Sequence, residues 1–428
     1  MASTNTFDVL KERGFVRQVT DETAVRELFS KERVTAYVGY DPTAGSLHIG
    51  NLVTLMALRH LARGGHRPLV LLGGGTVRVG DPSGKTEMRQ MLEEAQIIDH
   101  TEAIRAQTDA ILGLKETHPI VEDNAEWLLK LNYISFLRDV GRHFSVNRML
   151  SAESVKIRLE RGLSFLEFNY QLLQAYDFHC LLSKHGCRVQ MGGDDQWGNI
   201  VAGVDLCRRL DQTEVFGVTF PLLLTARGEK MGKTASGAVW LDPTRVSPFE
   251  YYQYWVNTHD DDVVRFLGFF TELPMEEIKR IEGFEGAALN QAKTILAFES
   301  TAIVHGNQAA LEAHRAAQGA FGGRDLNADI LASSTCPRTQ DSDATQIPTT
   351  LLSRSDFVEG AITVVDLLLK SELSDSKRNA RRLMGQGAVR IGDEVVNSPE
   401  AALMATAISG EGLLVRVGKK RLHRFVIE

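Results

Sequence analysis

One polar segment near the N-terminus gathers side chains that could bind a nucleotide. Residues 41–51 read DPTAGSLHIGN and contain the hydroxyl of Thr43, the imidazole of His48 and the amide of Asn51. Because His48 and Asn51 are three residues apart, they would share one face of a helix, and Gly50 would leave that face open to a flat ring. Such a set of groups could hold a polyphosphate and a ribose.

The flanking residues predict a strand, a turn and the start of a helix. Residues 34–40 form a β-branched and aromatic run, typical of a buried strand, and residues 41–45 are turn residues. Ser46 is a candidate N-cap for an amphipathic helix that begins near Leu47. Backbone N–H groups at a helix start favour phosphate. Without the polar side chains, the same pattern would indicate ordinary α/β structure.

Two further predicted strands also end in glycines. Residues 67–75 (RPLVLLGGG) precede Asp81, and residues 188–193 (RVQMGG) precede Asp195 and Gln196. Repeated strand–helix units predict an α/β fold with a Rossmann-like, doubly wound parallel sheet, in which ligands bind at the carboxyl ends of the strands. Asp81, Asp195 and Gln196 would then lie beside a bound ligand, although acids at a helix start are also ordinary caps.

The segment 164–182 predicts a helix with three polar groups on one face. It reads SFLEFNYQLLQAYDFHCLL and places Tyr170, Gln174 and Asp177 at positions i, i+4 and i+7. Polar side chains are costly to bury without partners. A ligand with both an ammonium and a hydroxyl would supply partners, and a polar network between helices is the alternative interpretation.

Two lysines lie on a glycine-flanked loop that follows a predicted strand at 216–224. The loop reads ARGEKMGKTASG and contains Lys230, Lys233 and Thr234. Such lysines could close over a triphosphate and neutralise charge as pyrophosphate leaves. In isolation the pattern more often indicates a solvated loop.

The C-terminal part of the chain is mildly basic, although the whole chain has a formal net charge of −7. From Leu351 onward twelve Lys and Arg stand against ten Asp and Glu. Seven of these twelve basic side chains fall in two groups, which are Lys377, Arg378, Arg381 and Arg382 at helical spacing, and Lys419, Lys420 and Arg421. Arginines on a helix beside a small sheet suit RNA phosphates, and a solvated surface is the alternative.

Composition excludes several classes of protein. The 428 residues suffice for about two or three domains, and no apolar run is long enough to cross a membrane. The N-terminus has no apolar signal core. The four cysteines show neither disulfide nor zinc-site spacing, so we expect a cytoplasmic protein without a bound structural metal. The net acidity argues against nucleic-acid binding along the whole chain.

Together these motifs resemble those of a known family. The string P-T-x-x-x-L-H-I-G-N is similar to the HIGH signature of class I aminoacyl-tRNA synthetases, with Asn51 in place of the second histidine. KMGKT resembles their KMSKS loop, with Gly232 and Thr234 in place of the serines, and the tail resembles an S4-type RNA-binding module. In motif order, from Tyr37 to the C-terminus, the chain resembles bacterial- or organellar-type tyrosyl-tRNA synthetases.

The resemblance implies a tyrosine–tRNA ligase. Such an enzyme makes tyrosyl-adenylate and pyrophosphate from L-tyrosine and ATP, then transfers tyrosine to the 3′-terminal adenosine of tRNA(Tyr). It also implies a homodimer, and Mg²⁺ that arrives with ATP. The implied tyrosine-binding residues are Tyr37, Asp81, Asn124, Tyr170, Gln174, Asp177 and Gln196. The implied ATP-binding residues are Gly39, Asp41, Thr43, His48, Gly50, Asn51, Gly193, Asp195, Lys230 and Lys233. The implied catalytic groups are Thr43, His48, Asn51, Lys230, Lys233 and Thr234, and the implied tRNA-binding residues are the two basic groups of the tail.

The resemblance also implies a domain order. We expect a catalytic domain over 1–246 with a helical insertion, a helical anticodon-side domain over 247–335, a linker over 336–350 and an S4-like domain over 351–428. Two other functions share some of these motifs. One is a tryptophanyl-type synthetase, which lacks the S4-like tail, and the other is a non-catalytic RNA-binding scaffold derived from a synthetase.

Overall fold

The chain divides into two compact units. The structure, a computed structural model, describes residues 5–83, 92–113, 119–151, 155–156, 159, 162–226, 228, 231, 233–234, 237–321, 326–338, 348–357, 360–392, 394–408, 412–418 and 421–427. The first unit comprises Met1–Ser247, Thr258–Ala292 and Leu331–Ser334, and the second comprises Pro248–Asn257, Lys293–Ile330 and Thr335–Glu428. Residues 258–292 thus group with the first unit, whereas the division into three domains stays a prediction.

A six-stranded sheet forms the centre of the first unit. Its strands are β1 (Gln18–Val19), β2 (Thr35–Tyr40), β3 (Arg67–Leu72), β4 (Ile120–Asp123), β5 (Cys187–Gly193) and β6 (Phe216–Phe220). Their spatial order is β1–β6–β5–β2–β3–β4. β1 is antiparallel to β6 and the other neighbours are parallel. The order reverses between β2 and β5, where ligands bind in doubly wound sheets. The predicted α/β fold with a parallel sheet is confirmed.

Both units contain helices. In chain order they are α1 (Thr6–Glu12), α2 (Glu22–Lys31), α3 (Ile49–Arg63), α4 (Glu94–Leu112), α5 (Ala125–Leu128), α6 (Tyr133–Asp139), α7 (Val146–Ser151), α8 (Phe165–Phe168), α9 (Tyr170–His185), α10 (Trp197–Leu210), α11 (Pro248–Val256), α12 (Val263–Phe270), α13 (Met275–Arg280), α14 (Gly286–His305), α15 (Asn307–Phe321), α16 (Val364–Lys370) and α17 (Lys377–Gly385). Among the described residues, none of these helices combines the length and the apolar character needed to cross a membrane.

Burial explains why the central strands are apolar along their whole length. Every residue of β2 except Gly39 is buried, and β3 is buried after Arg67. Parallel strands that are covered on both faces form continuous apolar runs instead of alternating with polar residues. α3 follows with a buried face that includes Leu52 and Met56. The turn between β2 and α3 is therefore fixed at both ends.

The second unit ends in a small α+β region, as the sequence predicts. Its strands are β9 (Thr349–Leu352), β10 (Ala361–Thr363), β11 (Val389–Ile391), β12 (Glu394–Val395), β13 (Ala402–Met404), β14 (Leu413–Val417) and β15 (Arg421–Ile427). Five of them form a sheet in the order β12–β11–β14–β15–β9, and β10 pairs with β13. One apolar core joins α16 and α17 to this sheet through Leu368, Met384, Val415 and Phe425.

Candidate active site

A cavity of about 630 Å³ opens where the central strands end. It collects fifteen of the seventeen residues that the sequence predicts for tyrosine and ATP binding, all of them except the two lysines of the loop, and these are Tyr37, Gly39, Asp41, Thr43, His48, Gly50, Asn51, Asp81, Asn124, Tyr170, Gln174, Asp177, Gly193, Asp195 and Gln196. These residues come from five separate parts of the chain and meet only because the strands are neighbours. Their individual roles stay predictions.

The inner end of the cavity is suited to a hydroxyl group. Tyr37 on β2 is 1% exposed, and its hydroxyl makes no hydrogen bond within the part of the chain that the structure describes. Burial and the charge of Asp177 raise the pKa of Tyr37 well above its usual value. A buried polar group without a partner costs about 1–3 kcal/mol. A ligand hydroxyl beside Tyr37 would remove that cost.

Two donors hold the carboxylate of Asp177, which is itself 2% exposed. Asn124 Nδ2 donates to Oδ2 at 2.9 Å, and Trp127 Nε1 donates to Oδ1 at 2.7 Å. Burial raises the pKa of Asp177 from 3.8 to about 7, although the two hydrogen bonds act in the opposite direction. Each oxygen keeps a lone pair, so Asp177 can accept a further hydrogen bond from a ligand hydroxyl.

A second group of oxygens could bind an ammonium. Asp81 Oδ1 accepts a hydrogen bond from Ser83 N at 2.9 Å, and its Oδ2 accepts one from Gln196 Nε2 at 2.7 Å. Asn199 Nδ2 lies within 3.1 Å of Gln174 Oε1 and 3.2 Å of Gln196 Oε1. This network fixes one carboxylate and two amide oxygens at the edge of the cavity, and these are acceptors that suit a cation.

Asp41 connects to the residues predicted for tyrosine binding. Its Oδ2 accepts a hydrogen bond from the Tyr170 hydroxyl at 3.1 Å, and its Oδ1 accepts one from Thr76 Oγ1 at 2.8 Å. Asn124 Nδ2 donates to Thr76 Oγ1 at 2.9 Å. The sequence predicts Asp41 as an ATP-binding residue, and in the structure its carboxylate is hydrogen-bonded to Tyr170, which the sequence predicts for tyrosine binding.

The start of α3 differs from the prediction, because His48 and not Ser46 is the N-cap. Nδ1 of His48 accepts a hydrogen bond from Gly50 N at 3.0 Å, and Asn51 Oδ1 accepts one from His48 N at 3.1 Å. The Ser46 hydroxyl instead donates to Leu47 O at 2.7 Å and does not cap the helix. Since Nδ1 is an acceptor, the neutral ring carries its proton on Nε2. That proton suits a phosphate oxygen.

Gly39 and Gly193 affect the site in different ways. A Cβ on Gly39 would approach only Leu71 O, at 4.0 Å, so the open space beside it belongs to the cavity. A Cβ on Gly193 would lie 2.5 Å from Asp195 Oδ1, so a larger residue there would displace the Asp195 carboxylate. The preceding acid, Asp194, instead accepts hydrogen bonds from Gln18 Nε2 at 2.5 Å and Thr219 Oγ1 at 3.1 Å, and therefore stabilises the sheet.

The lysine loop and the start of α3 are joined through the main chain. Strands β7 (Lys233–Thr234) and β8 (Gly237–Ala238) pair as an antiparallel hairpin. The chain that leaves the hairpin is hydrogen-bonded to the helix start, through Ile49 N to Val239 O at 3.0 Å and Leu241 N to Leu47 O at 2.9 Å. Lys230 lies outside the described residues, so its predicted role and the side-chain roles of Lys233 and Thr234 stay predictions.

Helix α17 presents one basic face. It buries Ala380 and Met384. Its exposed basic side chains are Lys377, Arg378, Arg381 and Arg382. Arg421 on β15 is also exposed and donates to Leu373 O at 2.8 Å. Lys419 and Lys420 lie outside the described residues.

Several residues at the site have no counterpart in the sequence prediction. Trp127, Thr76, Ser83 and Asn199 contact the predicted residues, and Gln190 on β5 lines the cavity beside Tyr37, with which it is paired in the sheet. Asn199 lies one helical turn after Gln196 and Trp127 lies three residues after Asn124. Helical spacing from a predicted residue is therefore a signal that could have found both.

Two family models cover most of the chain. The model for "tRNA synthetases class I (W and Y)" matches residues 30–322, and the model for the "Tyrosine--tRNA ligase SYY-like C-terminal domain" matches residues 343–425. The first model covers tyrosyl and tryptophanyl enzymes alike, and the second is specific to tyrosine–tRNA ligases.

Full-length relatives agree with the C-terminal match. The tyrosine–tRNA ligase of Desulfatibacillum aliphaticivorans is 50% identical over 426 residues, which is 99% of either chain. That of Clostridium botulinum (strain Hall) is 46% identical over 424 residues, which is 99% of this chain and all of the relative. A C-terminally truncated mitochondrial tyrosyl-tRNA synthetase from Aspergillus nidulans has a similar structure, with a TM-score of 0.68 and 32% identity over 74% of this chain and 94% of its own. The chain therefore belongs to the tyrosyl-tRNA synthetases, within the class I tRNA synthetases.

Proposed function

We propose that this chain is a tyrosine–tRNA ligase that activates L-tyrosine with ATP and transfers it to tRNA(Tyr). Its relatives at 46–50% identity bear that name over the full length of the chain. The proposal rests mainly on one observation at the inner end of the cavity. There the buried hydroxyl of Tyr37 and the carboxylate of Asp177 could both form hydrogen bonds with a phenol. The helix start at His48 opens into the same cavity.

Tyrosine is held by its two polar ends. Its phenol would bind Tyr37 and Asp177, and its ammonium would bind Asp81 and Gln174, with Tyr170 as a further partner. The hydrogen bonds from Asn124 and Trp127 keep the Asp177 carboxylate in place before the substrate arrives. Pre-formed acceptors of this kind reduce the entropy that binding would otherwise cost.

Selectivity for tyrosine follows from burial. Phenylalanine would fill the same space but leave Tyr37 and Asp177 without the hydroxyl that pairs with them. The cost is that of leaving buried polar groups unsatisfied, which exceeds the net gain of an ordinary hydrogen bond. A tryptophan side chain would present its N–H in a different place and with a larger ring.

Activation requires positioning and charge stabilisation and no covalent enzyme intermediate. A carboxylate oxygen of tyrosine attacks the α-phosphorus of ATP, the bond from that phosphorus to the bridging oxygen breaks, and pyrophosphate takes the electron pair. Thr43 and the Nε2–H of His48 would donate to phosphate oxygens from the helix start, and Lys230 and Lys233 would approach from the hairpin. Donors aimed at charge that develops in the transition state raise the rate of this step.

Transfer completes the reaction. A ribose hydroxyl of the terminal adenosine of tRNA attacks the carbonyl carbon of the adenylate, and AMP leaves with the bonding electrons. The basic face of α17, together with Lys419, Lys420 and Arg421, would contact RNA phosphates and hold the tRNA to the enzyme. The proposed S4-like domain over 351–428 would supply this contact, and the helical domain over 247–335 would lie on the anticodon side.

Magnesium enters this proposal only with the nucleotide. Within the described ranges, no group of three or more His, Cys, Asp or Glu side chains is arranged to hold a metal ion. A requirement for Mg²⁺ would come from the phosphates of ATP, which this ion prefers over all-protein sites.

A homodimer in the cytoplasm is part of the proposal. Large apolar side chains are exposed along one part of the first unit, namely Leu129, Tyr133, Ile134, Val146, Leu159, Phe165 and Leu166. Exposed apolar residues in such a number are typical of a protein interface. We propose that a second copy of this chain covers these side chains, because most soluble oligomers are symmetric assemblies of identical chains. Because tRNA is charged where translation takes place, the proposed function supports the proposed cytoplasmic location.

Amino-acid-dependent exchange of pyrophosphate into ATP tests the function directly. The purified full chain is assayed with tyrosine, tryptophan and phenylalanine in separate reactions. We expect exchange with tyrosine alone, followed by charging of tRNA(Tyr). Exchange that prefers tryptophan would instead identify a tryptophanyl-type enzyme, and tight RNA binding without exchange would identify a non-catalytic scaffold.

A further inference from the structure

The turn between β2 and α3 is held from outside the cavity by one face of α4. His100, Ile104 and Gln107 are at positions i, i+4 and i+7 of that helix, so they share a face. Ile104 lines the cavity, whereas His100 and Gln107 are not among its described lining residues. Both of these side chains instead make hydrogen bonds to the turn.

Gln107 fixes the C-terminal end of the turn with both atoms of its amide. Its Oε1 accepts a hydrogen bond from Leu47 N at 2.8 Å, and its Nε2 donates to Ser46 Oγ at 3.0 Å. Ser46 and Leu47 are each 4% exposed, so water competes little for these bonds. Leu47 directly precedes His48, and the Gln107 amide thereby sets the direction in which the chain enters α3.

His100 fixes the N-terminal end of the turn. Its Nδ1 lies 3.2 Å from Pro42 O, and since a carbonyl oxygen can only accept, Nδ1 must carry the proton. The same ring packs on Gly45, where an added Cβ would lie 3.3 Å from Cδ2 of His100. That Cβ would also lie 3.1 Å from Nη2 of Arg245. The middle of the turn is therefore enclosed between α4 and Arg245.

These contacts bracket the two phosphate-side groups of the proposed mechanism. Pro42 directly precedes Thr43, and Leu47 directly precedes His48, so each fixed backbone group is one residue from a proposed phosphate donor. A change of the turn by a fraction of an ångström would move both donors together. Misplacement of reacting groups by about 1 Å can cost about a hundredfold in rate.

We propose that His100 and Gln107 are positioning residues for the activation step, which hold the turn 42–47 so that Thr43 and His48 meet the triphosphate. The proposal rests on the proposed function of the same cavity. Neither residue needs to touch a substrate. Their contribution is the geometry of the turn, which the free protein already has.

Volume-conserving variants test this role. Gln107→Met and His100→Phe remove the hydrogen bonds while filling similar space, and Gln107→Glu keeps an acceptor for Leu47 N. We expect kcat for tyrosine-dependent pyrophosphate exchange to fall about 10- to 100-fold in the first two and less in Gln107→Glu. The Kd for tyrosine should stay close to wild type, whereas the melting temperature of Gln107→Met should fall by a few degrees, because the buried Leu47 N–H loses its partner at a cost of about 1–3 kcal/mol. Arg105→Gln, at a partly exposed position of α4 where Arg105 pairs with Glu102, is the matched control and should not change kcat.

A double-mutant cycle distinguishes positioning from a general loss of structure. If Gln107 acts through His48, Gln107→Met should cost much less in a His48→Ala background than in wild type, because the group that it positions is already gone. Equal costs in both backgrounds, or unchanged kcat in Gln107→Met and His100→Phe, would overturn the inference while leaving the proposed function intact. Absence of exchange in the wild-type chain would overturn the proposed function and this inference with it.

Discussion

The imidazole of His48 lies directly on the backbone of Gly50. Nδ1 of His48 accepts the Gly50 N–H at 3.0 Å, and an added Cβ on Gly50 would lie 2.8 Å from Cε1 of the ring. The glycine therefore leaves room for the protein's own histidine at the helix start, in addition to any room that it leaves for a ligand. The contact also directs the remaining ring nitrogen, Nε2, as the proton donor.

Gly50→Ala should displace the His48 ring and slow activation. The added methyl group would overlap Cε1, so the ring must rotate and lose both its place and its hydrogen bond. We expect kcat for pyrophosphate exchange to fall about 10- to 100-fold, with the Kd for tyrosine unchanged. Gly385→Ala is the matched control, because nothing lies within 4 Å of a Cβ at that position. Wild-type exchange by Gly50→Ala would contradict the proposed role of the ring.

Tyrosine affinity should rise with pH around neutrality. Burial raises the pKa of Asp177 from 3.8 to about 7, and the ionised carboxylate is the better acceptor for a phenol. Below that pKa the Kd should increase by up to about tenfold per pH unit, and it should level off about one unit above it. Calorimetric titrations between about pH 5.5 and 8.5 measure this, since the substrate ammonium stays charged at most of these pH values.

The same pKa has a consequence for the free protein. Because the folded-state pKa is raised, the contribution of Asp177 to the free energy of unfolding is fully present below the unfolded value of 3.8 and is lost as the pH rises through about 7. Saturating tyrosine should offset this loss. Asp177→Asn is the control, and its tyrosine affinity should be low and independent of pH. A pH dependence retained in that variant would assign the titration to another group.

Tyr37→Phe should weaken tyrosine binding without weakening the fold. The substitution deletes a buried hydroxyl that has no partner among the described residues, so the melting temperature should stay equal or rise. Affinity for tyrosine should fall about tenfold, and discrimination against phenylalanine should weaken with it.

A second tyrosine provides the contrasting case. The buried Tyr251 hydroxyl forms a hydrogen bond with Ser300 Oγ at 3.1 Å. Because Ser300 is fully buried and loses this partner, Tyr251→Phe should destabilise the protein by about 1–3 kcal/mol and leave tyrosine selectivity unchanged. The opposite pattern in the two variants would show that the Tyr37 hydroxyl is satisfied within the protein and has no ligand role.

Local patterns predicted the parts of the site that local sequence determines. The strand–turn–helix at His48 and the polar face of α9 could be recognised because each lies within one short segment. Ser46 was wrongly predicted as the cap, since propensity favours serine there but its hydroxyl donates to its neighbour's carbonyl instead. Thr76 was missed because a tertiary contact brings it to Asp41, and no spacing in the sequence records that the end of β3 lies beside β2. Trp127 was missed although it lies three residues after Asn124, because its contact with Asp177 depends on the packing of α9 against that segment.

The basic face of α17 should affect tRNA binding and leave activation unchanged. Arg378→Ala and Arg381→Ala remove exposed cations, so tRNA affinity should fall. The slope of the logarithm of the association constant against the logarithm of the salt concentration should also become shallower, by about 0.7–0.9 for each lost phosphate contact. Deletion from Leu351 onward should abolish charging while pyrophosphate exchange continues. Lys370→Ala is the control, because Lys370 pairs with Asp356 at 2.9 Å. Loss of exchange in the truncated chain would contradict a separate RNA-binding role.

Charged substitutions in the apolar segment of the first unit should separate the proposed dimer. Ile134→Glu and Phe165→Glu replace side chains that are 69% and 70% exposed. Sedimentation should show a dimer for wild type and a monomer for these variants, since a buried unpaired charge destabilises an interface. Ile98→Glu, at an isoleucine on α4 that is 56% exposed, should stay dimeric. A wild-type chain that sediments as a monomer would refute the proposed assembly.

The main-chain hydrogen bonds from Ile49 to Val239 and from Leu241 to Leu47 hold together two segments that are far apart in the sequence. Side-chain replacement cannot erase such bonds, and only proline at a donor position would remove one. Side chains of the HIGN and KMGKT motifs can therefore change during evolution, as at Asn51, while the two motifs keep their relative positions. For protein engineers, residues 239–241 are the splice boundary to preserve when a hairpin from a relative is transplanted.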